Sequence, residues 1–315
     1  MNEILMCVGG VAGLVLLYFG ADWLVRGGSA IASRACISPL VIGLTLVAFG
    51  TSAPELFVST GAAMAGLGDI CVGNVVGSNI CNIALILGLT GLFAPIAVNA
   101  ALFRRDMPIM VAASVVVTAL CCLTGGLGRI AGGVFVVAIV AYTCHGIVMS
   151  RKDAVERTEE PSMGMERAMA LAFAGLVVLV VGAKLILAGA VALEKGLGVP
   201  DEFVALTVVA AGTSLPELAT SVVAARKGEA DIAIGNIVGS NIFNILGILG
   251  ASALLRPVAV SGMDWVDFGM MIATAVLLWP LLGVRGRLGR TEGVILLAIY
   301  GGYLVWLVRT MALTT

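Results

Sequence analysis

Charge is scarce in this 315-residue chain: Asp, Glu, Lys and Arg make up 12% of it, where soluble domains carry about 25%. With 60% hydrophobic residues and a mean hydropathy of +1.11, that scarcity excludes an ordinary soluble domain and places the chain in lipid. A formal net charge of −1 without a clustered basic stretch excludes a nucleic-acid surface, which needs such a patch. Histidine occurs once, as His145, and reads as an interfacial or packing residue. The seven cysteines (Cys7, Cys36, Cys71, Cys81, Cys121, Cys122, Cys144) include no CxxC metal spacing. Scattered in or beside apolar stretches, they read as small buried hydrophobes that need no disulfide. Neither HExxH nor GxSxG occurs.

What remains is a series of ten apolar stretches, each near the ~20 residues that span a bilayer: 3–32, 40–66, 70–93, 103–123, 129–150, 166–194, 201–226, 231–254, 265–283 and 291–311. The expected fold is an all-α integral membrane protein with ten transmembrane helices. The acidic start, Met1-Asn2-Glu3, lacks the basic region of a signal peptide, so the first span is expected to stay as an anchor. With the N-terminus outside, twelve of the 18 Lys and Arg residues fall in cytoplasmic loops and four outside, leaving Arg26 and Lys184 within helices. The positive-inside rule therefore predicts extracytoplasmic termini in the cytoplasmic (inner) membrane.

The chain is also duplicated. Residues 43–59 (GLTLVAFGTSAPELFVS) match 205–221 (ALTVVAAGTSLPELATS) at 11 of 17 positions, and 73–88 (GNVVGSNICNIALILG) match 235–250 (GNIVGSNIFNILGILG) at 12 of 16, all at one offset of 162. Residues 13–22 align with 175–184 at the same offset. Five spans per copy is an odd number, so the copies enter the membrane from opposite sides. The predicted organisation is a first five-helix repeat over 1–150, a cytoplasmic linker over 151–165 and a second, inverted repeat over 166–315. Inverted repeats recur in secondary transporters, whose substrate sits at the midplane between broken helices.

GTSAPE (50–55) and GTSLPE (212–217) are helix breakers inside spans 2 and 7. Proline lacks the N–H that the carbonyl four residues back expects, so carbonyls around Ala48–Thr51 and Ala210–Thr213 are expected to lose partners. Such breaks survive in hydrocarbon only where protein, water or an ion replaces the donor. Glu55 and Glu217 reinforce the reading, because a mid-bilayer carboxylate costs at least about 2.5 kcal/mol and is a functional candidate by default. Two facing carboxylates repel, and a divalent cation cancels both. Calcium takes about six to eight oxygens. Thr51, Ser52 and Glu55 share one helical turn, as do Thr213, Ser214 and Glu217. Ser78 and Asn82 on the third span, and Ser240 and Asn244 on the eighth, add neutral oxygens at i, i+4. Singly, each of those four is ordinary interhelical glue; their place beside the Glu motifs changes that. An all-oxygen set without His or Cys disfavours zinc, copper and iron.

In both halves, G-T-S-x-P-E followed by G-S-N-x-x-N resembles the alpha-repeats of the sodium/calcium exchanger family, within the cation/calcium antiporter superfamily. The resemblance covers essentially the whole chain. It implies an electrogenic antiporter, not an enzyme, that exchanges Na+ for Ca2+ by alternating access, with no cofactor and a monomeric functional unit. It implies Ca2+ ligation by Glu55, Glu217 and the carbonyls of Thr51 and Thr213. Na+ would be held by the Ala48 and Ala210 carbonyls with Ser52, Ser78, Ser214 and Ser240, and Asn82 and Asn244 would line the centre. Some prokaryotic and the potassium-dependent members carry Asp at position 244. Asn here tilts the expectation toward potassium independence. The short linker has no room for the calcium-sensing insert of animal exchangers. The resemblance further implies that spans 1 and 6 slide as gates, which Gly20, Gly27, Gly28, Gly182 and Gly189 would permit.

Rival readings are a Ca2+/H+ antiporter, a K+-dependent exchanger, a passive channel and an intramembrane protease. The last is prompted by Gly66-Leu67-Gly68-Asp69, but Asp69 is expected in a short loop, and its repeat counterpart Asp231 favours a turn or vestibule role. Asp22 and Arg26, at i, i+4, are expected to form a local ion pair, and Lys184, the counterpart of Asp22, to snorkel.

Overall fold

The computed structural model describes residues 3–153, 163–196, 210–283 and 286–314. Among the described residues the regular structure is helical apart from four two-residue strands. In the first half α1 spans Glu3–Ala35, α2 Pro39–Thr51, α3 Ala53–Ala65, α4 Gly68–Phe93, α5 Leu102–Thr124 and α6 Arg129–Asp153. In the second, α7 spans Met165–Gly196, α8 Ala210–Thr213, α9 Leu215–Arg226, α10 Ala230–Leu255, α11 Trp265–Gly283 and α12 Arg290–Thr314. Among the described residues eight helices are long and apolar enough to cross a membrane, or nine if α2 and α3 count as one bent span. The first part of the expected seventh span, 201–209, lies outside the described residues, as do 154–162 of the linker. The linker is shorter than expected at both ends, because α6 runs on to Asp153 and α7 begins at Met165.

Burial separates a centre from a periphery. The apolar stretches of α4 and α10 are 72% and 94% buried inside the protein, against 22% for α6 and 17% for α12. The two central helices carry the Gly, Ser and Asn residues of the duplicated segments, and small residues let backbones approach where no hydrophobic force between helices exists in lipid. A Cβ added to Gly239 would lie 2.5 Å from the Leu44 carbonyl oxygen, so α10 touches α2 backbone to backbone.

The same device joins α1 to α7. Gly13, Gly20 and Gly27 recur every seventh residue on α1. A Cβ on them would meet the Gly182 carbonyl at 2.8 Å, the Leu179 amide at 2.7 Å and the Ala172 amide at 2.6 Å. Gly28 does not join this seam; it faces the Ile42 and Val47 side chains.

Two strand pairs tie the loops. β1 (Ile96–Ala97) pairs antiparallel with β4 (Arg287–Leu288), and β2 (Gly126–Leu127) with β3 (Val258–Ala259). β1 and β3 correspond at the 162-residue offset, so the second pairing repeats the first with the halves exchanged. Asp69 lies in the first turn of α4, not in a loop. It accepts hydrogen bonds from the Ser261 amide (2.9 Å) and hydroxyl (3.3 Å) and from the Gly262 amide (3.1 Å). Asp231, in the first turn of α10, accepts from Asn99 Nδ2 at 3.5 Å. Both acids thus fasten a helix start to a loop of the other half.

Candidate functional site

The chain leaves helical geometry at Ser52 (φ −79°, ψ 9°) and Ser214 (φ −90°, ψ 8°) and resumes it one residue later, with Pro54 and Pro216 in the first turns of α3 and α9. Proline suits that position because its missing N–H is one that a helix start leaves unpaired anyway. The axes of α2 and α3 meet at 52°. Glu55 and Glu217 then stand in the first turns of α3 and α9, where the helix dipole favours negative charge.

The Ala48 carbonyl is not stripped of partners by Pro54. It accepts from the Ser52 amide (3.0 Å), Thr51 Oγ1 (3.3 Å) and Ser240 Oγ (3.4 Å). The carbonyl four residues before each proline belongs to Gly50 or Gly212, and those are the ones that Pro54 and Pro216 deprive. Ala210 is described as the first residue of α8.

Glu55 and Glu217 are each 1% exposed. Ser214 Oγ donates to Glu55 Oε1 at 3.1 Å, and Ser52 Oγ to Glu217 Oε1 at 3.0 Å, so each half supplies the serine for the other's carboxylate. Thr213 neighbours the Glu55 carboxylate and Thr51 that of Glu217, and the two acids are close enough to repel each other. Thr51 Oγ1 also donates to Asn236 Oδ1 at 3.1 Å. The second oxygens, Glu55 Oε2 and Glu217 Oε2, are buried without a hydrogen-bond partner, as are Ser78 Oγ, Asn82 Oδ1 and Asn244 Oδ1. An unsatisfied buried polar atom costs about 1–3 kcal/mol, more when charged. Five of the eight side-chain atoms so left among the described residues lie on residues singled out in the sequence, the others being Thr143 Oγ1, Thr220 Oγ1 and Ser252 Oγ. The five are all oxygens, two of them carboxylate, the donor type that a hard cation takes. Among the described residues no three His, Cys, Asp or Glu side chains gather into a cluster, and the further oxygens beside the two carboxylates there are the neutral ones of Ser78, Asn82 and Asn244.

Asn82 and Asn244 sit on widened π turns, Cys81–Leu87 and Phe243–Leu249, that interrupt α4 and α10 at matching positions. Such π segments appear frequently at functional sites. α3, carrying Glu55, packs against the Phe243–Leu249 segment, and α9, carrying Glu217, against Cys81–Leu87.

A supporting layer was not singled out from sequence. Asn74 Nδ2 donates to the Glu55 carbonyl (3.3 Å) and Ser59 Oγ (2.8 Å); Asn236 Nδ2 donates to the Glu217 carbonyl (3.3 Å) and Ser221 Oγ (2.9 Å). Asn79 and Asn241 bond to each other's backbone. The available signal was identity between the copies: each is a polar residue in an apolar span that recurs at the same offset.

The family model described as sodium/calcium exchanger protein matches the chain twice, at residues 6–148 and 167–309, one match per half. Sodium/calcium exchanger MaX1 of Methanosarcina acetivorans is 34% identical over 334 residues, covering 93% of this chain and 95% of that protein. Inner membrane protein YrbG of Escherichia coli (strain K12) is 35% identical over 309 residues, covering 94% of each. A solved structure of the sodium-calcium exchanger NCX_Mj, soaked with 2.5 mM Na+ and 0.1 mM Ca2+, superposes with a TM-score of 0.82 at 31% identity, covering 96% of this chain and 98% of that one.

Proposed function

The chain belongs to the sodium/calcium exchanger family, and from that premise we propose that it exchanges Na+ for Ca2+ across the membrane, electrogenically and by alternating access. The observation that carries the reading is the reciprocal pair Ser214–Glu55 and Ser52–Glu217, with one oxygen of each carboxylate left for a ligand. Two buried negative charges bridged between halves suit one divalent ion, or several monovalent ions that also use neutral oxygens. The neutral oxygens of Ser78, Asn82 and Asn244 favour Na+ over H+ as counter-ion, since a proton would need only the carboxylates.

In this reading Glu55, Glu217 and the carbonyls of Thr51 and Thr213 hold Ca2+. The Ala210 carbonyl with Ser52, Ser78, Ser214 and Ser240 holds Na+, the Ala48 carbonyl joins them by exchanging the donated Ser240 hydroxyl for the ion, and Asn82 and Asn244 line the centre. Ten spans form two inverted five-helix repeats, 1–150 and 166–315, broken at the two GTSxPE motifs, with both termini outside the inner membrane and one chain as the functional unit. Competition of the two ions for shared oxygens supplies the differential affinity that an alternating-access switch requires.

Purified protein in Na+-loaded vesicles is expected to take up Ca2+ only against an opposing Na+ gradient, with net charge movement. Uptake driven equally well by a pH gradient without Na+ would replace Na+ by H+ in the reading. A strict requirement for added K+ would replace it by the K+-dependent reaction. Ca2+ flux that needs no counter-ion would make the protein a channel.

A further inference from the structure

Asn79, Asn82, Asn241 and Asn244, each 1% exposed, close a ring of hydrogen bonds between α4 and α10. Asn79 Nδ2 donates to the Asn241 carbonyl at 3.2 Å, and Asn241 Nδ2 to the Asn79 carbonyl at 3.3 Å. Asn244 Nδ2 donates to Asn79 Oδ1 and Asn82 Nδ2 to Asn241 Oδ1, both at 3.0 Å. The Asn79 and Asn241 amino groups also point at the Met271 and Met110 sulfurs, at 4.0 and 3.7 Å.

The oxygen and nitrogen of an amide are ordinarily interchangeable to the eye, but this ring leaves no choice. A backbone carbonyl only accepts, so Asn79 must turn Nδ2 toward Asn241. Its Oδ1 then faces Asn244 and can only accept, so Asn244 must present Nδ2 to it. The Oδ1 of Asn244 is thereby turned away from the ring, buried and without a partner, and the mirror argument does the same for Asn82. We propose that Asn79 and Asn241 are positioning residues that lock the Asn244 and Asn82 amides so that two neutral oxygens, not two amino groups, face the transported cation. The inference rests on the exchange reading only in taking the ligand to be a cation. Without the ring each amide is free to turn. A turned amide withdraws an oxygen and offers N–H groups that repel the ion, and affinity falls with the fraction of correctly turned protein.

The control runs across the halves: Asn79 acts on Asn244, not on its own neighbour Asn82. A double-mutant cycle reads this directly. Purified full-length protein in detergent is titrated with Ca2+, and separately with Na+, while thermal stabilisation is followed, with Ca2+ uptake into Na+-loaded vesicles measured alongside. Asn79→Leu is expected to weaken Ca2+ binding about tenfold, as loss of an outer-shell partner commonly does. In an Asn244→Ala background the same change should cost nothing further; in an Asn82→Ala background the full loss should persist. Asn241→Leu should show the mirrored pattern. Equal losses in both backgrounds would overturn the proposal. So would an Asn79→Leu protein with a lower melting temperature but unchanged ion titration, the mark of a purely structural role. If Asn79→Leu does not fold, Asn79→Ser replaces it, its hydroxyl too short to reach either partner. Wild-type vesicles without Na+-driven Ca2+ uptake would sink the exchange reading alone, because the cycle is read by binding.

Discussion

Around Glu55 the hydrogen bond comes from Ser214 at 3.1 Å, and around Glu217 it comes from Ser52 at 3.0 Å. Asn74 and Asn236 brace the two glutamate backbones at identical distances of 3.3 Å. At the membrane ends the halves part company. Asp22 of α1 pairs with Arg26 at 3.0 Å and also with Lys227, just past α9, while Ser29 Oγ donates to Glu229 Oε1 at 2.8 Å. At the 162-residue offset the place of Asp22 is taken by Lys184, that of Lys227 by Ala65 and that of Glu229 by Leu67. α1 is thus latched to the end of α9, and the residues that would latch α7 to the end of α3 are missing from the sequence. The stacked rings of Phe49 and Phe243, 4.2 Å apart, likewise have Ala211 and Cys81 as counterparts. In the proposed exchange cycle a cage that serves both access states gains from equivalence, whereas the ends of the helices need none.

The largest way to break the equivalence is at the carboxylates. Glu55→Gln and Glu217→Gln are each expected to abolish Na+-driven Ca2+ uptake in vesicles; normal transport by both variants would mean the site is misplaced, and loss in only one would end the equivalence. Next come Ser52→Ala and Ser214→Ala, each freeing a carboxylate of the opposite half. About tenfold weaker Ca2+ binding is expected from either, and unequal titrations would show that one half dominates.

Gly175→Ala tests the α1–α7 seam, where the new Cβ would lie 2.5 Å from the Leu24 amide. Overpacking of this kind costs about 1–3 kcal/mol, read as a lower melting temperature in detergent, whereas Gly61→Ala, with nothing within 4 Å, is expected to be silent. The smallest effect sharpens the asymmetry. Lys227→Ala leaves Asp22 with Arg26, so a shift of roughly 1.5-fold to fivefold toward the state in which α1 leaves α9 is expected from one partly exposed ion pair. Thiol labelling of a cysteine placed on α9 reads that shift. Unchanged labelling would make the pair ornamental.

The fold was largely readable because its signals are local. Apolar length marks a span, and Pro54 and Pro216 mark breaks whatever surrounds them. The Asp22–Arg26 pair was visible for the same reason, as an i, i+4 relation on one helix. Lys227 was not: it lies some two hundred residues away in the chain and reaches Asp22 only through packing. The candidate ligands were visible as duplicated polar residues in apolar surroundings. Asn74, Asn79, Asn236 and Asn241 carried the same mark, but a side chain that braces and one that ligates look alike along a helix.

From its own residues the chain determined the membrane class, the duplication at a single offset, and an oxygen-only, doubly acidic candidate site, since composition, periodicity and the geometry of proline act within a few residues. Only the tertiary structure decided which half serves which. It turned Ser52 toward Glu217 and Ser214 toward Glu55, left the Ala48 carbonyl fully bonded, and aimed the oxygens of Asn82 and Asn244 away from their ring. Apart from the two local donors to Ala48, these are contacts between helices about 160 to 190 residues apart, which no spacing along one helix encodes.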